Sequence, residues 1–543
     1  MKNILIAIRS IFKKGRHNVM KIVSLGIGLA VGLVLIAKVY FEQSYDDFYP
    51  DRDRVYQVWA KYQQNGGELK DYPQTSGGIA PTMQQQIPEI ETVTRYTSFG
   101  DWTFTMTDTK MKYSGRCIIA DSCFFDILPR PMLIGNAKEV LSTPMYVLIS
   151  SRIAKNIGGD VIGKNFTVDN SPGRTMTIGG VFEEVPENSH SRYDVIVSMA
   201  SAGRFMWEGS PTNMLGNDRY ISYVKLHKGV NPLALEEQVR TFVNSYFPPE
   251  EQQKVGLSID FSFHKLDNLH KELPQVKRMT WILSLLAFAL IFTAVMNYIL
   301  IVISSIVNRS KEVAVHKCYG ASENNIHGMM FGEALVHIVL SLILALLLIL
   351  AFRGTVEELL ATSLDSLLLS NGSLVLLGIC ILVFFVSGFM PGSLYARIPV
   401  ASAFRNYREN KRIWKKALLL VQFVATGFLV TMLVFVARQY TFMVNDRPGY
   451  AYENLAYCGL AGVDSTSRAK ILDEVMRLPG VIAATTVYQL PFEHASGNNI
   501  LLPGETQELF NIADLYWVGN GYLDMMEIPV IQGRSFTENV TNS

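Results

Sequence analysis

Polar and apolar positions divide this chain into two textures. Five stretches, 22–41, 281–307, 329–352, 373–390 and 417–437, are almost wholly apolar. Each is about long enough to cross roughly 30 Å of hydrocarbon as a helix, the fourth being the shortest. Between 42 and 280 no apolar run approaches that length. There the pattern alternates with period two in Val55–Tyr62, Tyr220–Leu226 and Leu257–Phe263, which predicts half-buried strands. It changes to helical spacing in Ile79–Ile87 and Leu233–Tyr246, with turn signals at Gly66-Gly67, Gly158-Gly159 and Pro248-Pro249. The expected fold class is a multi-pass α-helical membrane protein with about five transmembrane helices and α+β extracytoplasmic domains. Residues 42–280 are expected to form one α+β unit with room for two lobes.

Positive charge orders the segments. Residues 1–21 carry Lys2, Arg9, Lys13, Lys14, Arg16 and Lys21 and no acid, and Ile4, Leu5, Ile8, Ile11 and Phe12 fall at helical spacing. This predicts a basic amphipathic helix lying on the membrane. The next basic segments are 308–328 and 391–416, the latter with Arg397, Arg405, Arg408, Lys411, Arg412, Lys415 and Lys416. The positive-inside rule places all three in the cytoplasm, leaving 42–280, the acidic connection 353–372 and 438–543 outside the cell membrane. The first apolar run is too long for a signal peptide and no small-residue cleavage site follows it, so it reads as an uncleaved anchor. Lys38 near its outer end can snorkel, and Gly28 and Gly32 offer a close helix-packing face.

The segment between the second and third runs, 308–328, bends the chain. A short polar helix is expected after the membrane helix, ending at Gly320, where positive φ carries no steric cost. Ser322 then caps the next helix, with Glu323 in its first turn. That is the shape of a docking element for a soluble partner. Pro391 and Gly392 are expected to end the fourth span. Asn297, near the middle of the second span, is expected to hydrogen-bond a neighbouring helix. Glu333 and His337 lie one turn apart on the third, and Glu333 is expected to pair with the charged segment.

The segment KEVAVHKCYGAS resembles the corresponding stretch of FtsX-like permeases, the membrane subunits of MacB-type ABC systems. His316 stands where that family usually has arginine, and Cys318-Tyr319 replaces an aliphatic pair. ADSCFFDILPRPMLIGNAKEVL, YVLISSRIAKNIGGDVIGKNF and IGGVFEEVPENSHSRYDVIVSM resemble the family's external core domain in order, and SGFMPGSLYARIPVASAFR resembles the segment leaving the fourth helix. The resemblance implies that Lys311, Glu312, Val313, Ala314, Val315, Lys317, Gly320, Ala321 and Ser322 contact a separate cytoplasmic ABC ATPase. It implies motion passed through the bilayer to external domains that export or extract a peptide, antimicrobial or lipoprotein. A homodimer or paired permease and a periplasmic adaptor are the further partners expected. The alternative is a membrane-anchored sensor or scaffold that binds ligand or regulates a cell-wall enzyme.

Composition narrows the rest. A hydrophobic share of 49% with 18% charged residues fits membrane helices joined to water-exposed domains. A formal net charge of +1 gives no field for nucleic acid. The five cysteines (Cys117, Cys123, Cys318, Cys380, Cys458) have no metal spacing, and whether Cys117 and Cys123 pair stays open. Gly158–Lys164 has Walker A spacing, but Asn165 stands where Ser or Thr must reach Mg²⁺. Asp121, Asp126, His190 and Asp194 lack the spacing of a metal site or triad. No cofactor and no intrinsic catalysis are expected.

The chain also repeats itself. FFDILPRPMLIG (124–135) aligns without gaps to YLDMMEIPVIQG (522–533), and Gln86–Ile90 has an echo in Arg477–Val481. A second copy of the basic segment, span and external domain starts near 404. Measured against the first copy it stops early, so a truncated second half lacking three helices is expected.

Overall fold

The computed structural model describes residues 17–64, 67–168, 171–216, 218–368, 372–400, 413–445, 449–460, 463–491, 496–502 and 508–535. Most of the predicted amphipathic helix, Gly66, and Arg405, Arg408, Lys411 and Arg412 lie outside the described residues.

Among the described residues, five helices are long and apolar enough to cross a membrane. The first four are Asn18–Gln43, Pro274–Ser304, Glu323–Ala351 and Ser373–Ala396; the fifth is Ile413–Asn445. The second starts two turns earlier than its apolar run. Pro274 occupies the first helical turn, where its missing N–H is no loss. The fourth does not end at Pro391 and Gly392 as expected, but runs on to Ala396. Tertiary contacts hold that extension: Tyr395 donates through its hydroxyl to the Val302 carbonyl at 3.1 Å. A Cβ at Gly392 would stand 2.7 Å from His327 Nδ1, so only glycine fits beside that ring. The connection 353–372 also contains helix, Arg353–Leu360 and Leu364–Leu368.

The first four membrane helices share one core. Leu25, Leu29 and Leu33 of the first meet Val295, Ile299 and Ile303 of the second, with Ile338 and Ala345 from the third. Gly28 and Gly32 are used inside the chain. A Cβ at Gly28 would lie 2.2 Å from the Ala294 Cβ, and one at Gly32 2.4 Å from Ile291 Cγ1. The two backbones approach where side chains are absent.

The α+β domain between the first and second membrane helices is built on one sheet, of eleven strands among the described residues. Its strands are β1 Val55–Gln64, β2 Lys70–Tyr72, β3 Ile90–Met106, β4 Lys112–Ala120, β5 Met132–Ile134 and β6 Tyr146–Ser150. They continue as β7 Asn165–Val168, β8 Ser171–Phe182, β9 Val195–Ser198, β10 Ile221–Leu226 and β11 Leu257–Lys265. The order is β11-β1-β10-β3-β4-β9-β6-β8-β5. All three predicted strands and both predicted helices form. The β11–β3 half is antiparallel, and the helices Ile79–Gln86 and Glu236–Tyr246 bury Met83 and Phe242 against Val58 and Phe261. Parallel pairs enter with β4–β9 and β6–β8, and this half carries two cores, one around Phe124, Leu128 and Phe182, the other around Phe104, Ile149 and Phe166. Two lobes thus share a continuous sheet. Cys117 and Cys123 are both free thiols. The Walker-like loop joins a helix to a strand, with Gly158, Gly159 and Gly163 at positive φ, the reverse of the strand–loop–helix order a P-loop needs.

Residues 427–543 make up most of a second unit. It contains the helix Ser465–Met476, N-capped by Asp464 through Ser467 N at 3.0 Å, and a hairpin of β12 Ser496–Leu501 and β13 Glu508–Leu515. The aligned repeats match in backbone. Phe124–Ile127 and Tyr522–Met525 are each one helical turn, and Gly135 and Gly533 close both segments at φ 85° and 95°.

Candidate functional site

A break at Ser305 separates the second membrane helix from a short helix, Ile306–Cys318. Ser305 fixes the break by donating through Oγ to the Val302 carbonyl at 2.6 Å. The short helix ends as its sequence dictates. Gly320 takes φ 83°, its N–H donates to Lys317 O at 3.0 Å, and Ala321 N–H donates to His316 O at 3.0 Å. Ser322 then accepts from Asn325 N at 3.4 Å and starts the third membrane helix.

The predicted coupling residues sort onto two faces. Val313 and Ala314 are buried against the bundle, while Lys311, Val315, Gly320 and Ser322 are exposed, together with His316, Cys318 and Tyr319. Glu312 and Ala321 are half-buried. Lys317 turns inward. Its ammonium donates to the carbonyls of Ala396 at 2.7 Å and Ile398 at 2.8 Å, satisfying the end of the fourth membrane helix.

Beneath the short helix lies a buried charged cluster. Arg309 Nη1 bonds Glu333 Oε2 at 2.8 Å, with both side chains under one-tenth exposed. The Lys21 ammonium lies 3.7 Å from the other Glu333 oxygen, and the Arg309 guanidinium sits over the Tyr395 ring, 5.5 Å from its centre. One turn along, His337 Nδ1 meets the Tyr298 hydroxyl at 3.1 Å. Glu333 therefore pairs with the charged segment, as its position predicts. Asn297 does not do what was expected of it. Its side chain makes no hydrogen bond to another helix among the described residues, because Val295 and Tyr298 occupy the helix contact and leave Asn297 half-buried at its edge.

At the opposite end of the bundle the α+β domain is tied on by a polar neck. Glu42 bonds Lys38 at 2.7 Å and His270 Nε2 at 2.6 Å, so the first membrane helix is pinned to the chain entering the second. Tyr45 stacks on the His270 ring at 3.4 Å and 7°, and burial pushes the Tyr45 hydroxyl up to about 12. Lys38 also donates to Thr362 Oγ1 at 2.8 Å, and Glu187 accepts from Ser363 N at 3.0 Å. These bonds bring the connection between the third and fourth helices into the same junction. Asp46, fully buried at φ 61°, accepts from Ser189 Oγ at 3.1 Å and pairs with His190 Nδ1 at 2.7 Å, while His190 Nε2 meets the Tyr223 hydroxyl. His190 is thus a structural clasp. Asp121 and Asp194 are likewise engaged, by Arg95 and Arg152. Sequence reading missed the neck. The available signal was Lys38 and Glu42 at i, i+4 on the last turn of an apolar run, where two charges survive only as a pair.

Two family models match in tandem. Residues 20–242 match the MacB-like periplasmic core domain, and residues 284–400 match the FtsX-like permease C-terminal region. The chain belongs to the FtsX-like, MacB-type permease family. This permease is therefore an integral membrane protein, and permeases of its type work with a cytoplasmic ABC ATPase. Among solved structures, it is similar to a domain of a putative permease protein from Porphyromonas gingivalis, at 33% identity, covering 40% of this chain and 91% of that one, with a TM-score of 0.37. It is also similar to the periplasmic region of MacB from Actinobacillus actinomycetemcomitans (15% identity, 38% and 87% covered, TM-score 0.27). The extracellular domain of the noncanonic ABC-type transporter YknZ from Gram-positive bacteria is similar as well (11%, 38% and 98%, 0.27). No curated protein matches the chain.

Proposed function

We propose that this permease relays the movement of a separate cytoplasmic ATPase to its α+β domains on the far side of the membrane, acting there on a substrate such as a peptide, antimicrobial or lipoprotein. The short helix Ile306–Cys318 is the receiving element. The observation that carries the reading is its attachment: Arg309 ties it to the third membrane helix, and Lys317 ties it to the end of the fourth. A push on the exposed face of Lys311, Val315 and Tyr319 therefore reaches the bundle through charge-assisted bonds. At the other end, the Glu42–His270 pair hands the motion of the first two helices to the domain together. In this reading residues 1–21, 308–328 and 391–416 face the cytoplasm, in the inner membrane.

Two measurements test it. A variant keeping Cys318 as its lone cysteine should react with a membrane-impermeant maleimide in inverted vesicles but not in intact cells; labelling of intact cells would sink the orientation. Affinity-purified permease should carry an ABC ATPase identified by mass spectrometry. That partner should be lost on Lys311→Glu/Val315→Asp with the permease's melting temperature unchanged. Retention of the ATPase by that variant would move the docking surface elsewhere, and its absence from the wild type would leave a sensor or scaffold.

A further inference from the structure

Three cations around the neck are matched to carboxylates: Lys38 with Glu42, Arg52 with Asp47, and Lys271 with Asp267. Lys277 and Arg278, in the first two turns of the second membrane helix, are not matched in this way. Both are exposed, and neither side chain has an ion-pair or hydrogen-bond partner among the described residues. Arg278 also borders a shallow groove with Pro274, Gln275, Met279, Ile282 and Leu283.

An exposed apolar face continues along the helix below them. Trp281 is 78% exposed, and Leu285 and Phe288 follow it outward at 62% and 67%. Positions 278, 281, 285 and 288 are spaced three, four and three residues apart, which puts them on one helical face. From Arg278 to Phe288 that face is about 15 Å long, the depth of one leaflet of a roughly 30 Å hydrocarbon layer. Phe288 stacks on Phe292 at 5.9 Å and 22°, widening its lower end. The order is cation, indole, aliphatic, phenyl, and it matches a phospholipid read from phosphate through the interface to acyl chain.

We propose that this face of the second membrane helix binds an anionic phospholipid of the adjoining leaflet. Lys277 and Arg278 hold the phosphate, Trp281 lies at the carbonyl level, and Leu285 and Phe288 lie along an acyl chain. Charge complementarity selects the occupant: two unmatched cations above an apolar track suit an anionic headgroup better than a zwitterionic one. The bound lipid sets the height of the neck, since His270 precedes Lys277 by only seven residues.

The test uses the full chain in nanodiscs of equal phosphatidylglycerol and phosphatidylcholine, extracted and quantified by mass spectrometry for the lipid retained on detergent purification. The wild type should retain phosphatidylglycerol over phosphatidylcholine, with the preference falling about thirtyfold in Lys277→Gln/Arg278→Gln, as expected for two interfacial cations. Lys277→Arg/Arg278→Lys should keep the preference. The distant pair Lys155→Gln/Lys228→Gln should leave it unchanged. Phe288→Ser should lower retention of both lipids. The proposal falls if the Gln pair retains phosphatidylglycerol like the wild type, or if the distant pair loses as much. It also falls if inorganic phosphate displaces the bound species, which would make the ligand a free anion.

Discussion

Arg309 and Glu333 meet at 2.8 Å inside the helix bundle, one from the short helix and one from the third membrane helix. Removing a single partner from a buried pair leaves an uncompensated charge. Glu333→Ala takes from Arg309 its closest carboxylate, while Lys21 keeps its bond to Asn18, and should cost about 3–5 kcal/mol. The readout is thermal unfolding of detergent-purified protein followed by size-exclusion chromatography. Arg309→Met/Glu333→Met should recover most of that loss, because the desolvation cost disappears along with the pair.

Lys311 and Lys317 stand six residues apart on one helix, on different faces, and have different tasks. Lys317→Met removes two charge-assisted bonds, to the Ala396 carbonyl at the end of the fourth membrane helix and to the Ile398 carbonyl just past it, and should lower stability by roughly 2–3 kcal/mol. Lys311→Met, on the exposed face, should fall within about 0.5 kcal/mol of the wild type. Thermal melts of the two variants measured side by side decide this.

Gly28 touches Ala294. Gly28→Ala places two methyl carbons 2.2 Å apart and should push the first and second membrane helices apart. Expected effects are an overpacking loss of about 1–3 kcal/mol and recovery when Ala294→Gly is added. A double variant no more stable than the single one would show that the strain lies elsewhere.

Acid should loosen the neck through Asp267. Burial works against its charge, but the bond and charge of Lys271, with Arg52 beside them, hold its carboxyl below the usual carboxylate range. A folded-state value below the unfolded one of about 3.9 gives stability that is present above that pH and lost as pH falls through the folded value. Asp267→Asn should therefore melt below the wild type at neutral pH, and the gap should close below about pH 4. A gap that stays constant down to pH 2 would remove Asp267 from the acid response.

The apolar runs announced the membrane helices because crossing lipid leaves little freedom of composition. Gly320 and Ser322 announced the bend because only a few residues end and restart a helix so abruptly. The period-two strands around Val58 and Phe261 were equally legible. Other features needed partners distant in sequence. Pro391 reads as a stop until Tyr395 is seen bonding Val302. Lys317 reads as a docking charge until the carbonyls of Ala396 and Ile398 appear beside it. The first two turns of the second helix were hidden because Lys277 and Arg278 interrupt the apolar run without interrupting the helix. His190 and His270 become clasps only when folding delivers them to Asp46 and Glu42.

The near-contact of Gly28 with Ala294, closed off at the top by Glu42 and His270, leaves the first pair of membrane helices little room to slide past each other. They make a single stiff lever. The first helix, 26 residues long, measures about 39 Å. A tilt of about five degrees at its foot thus swings its head by about 3 Å, enough to open or shut a contact at the membrane surface.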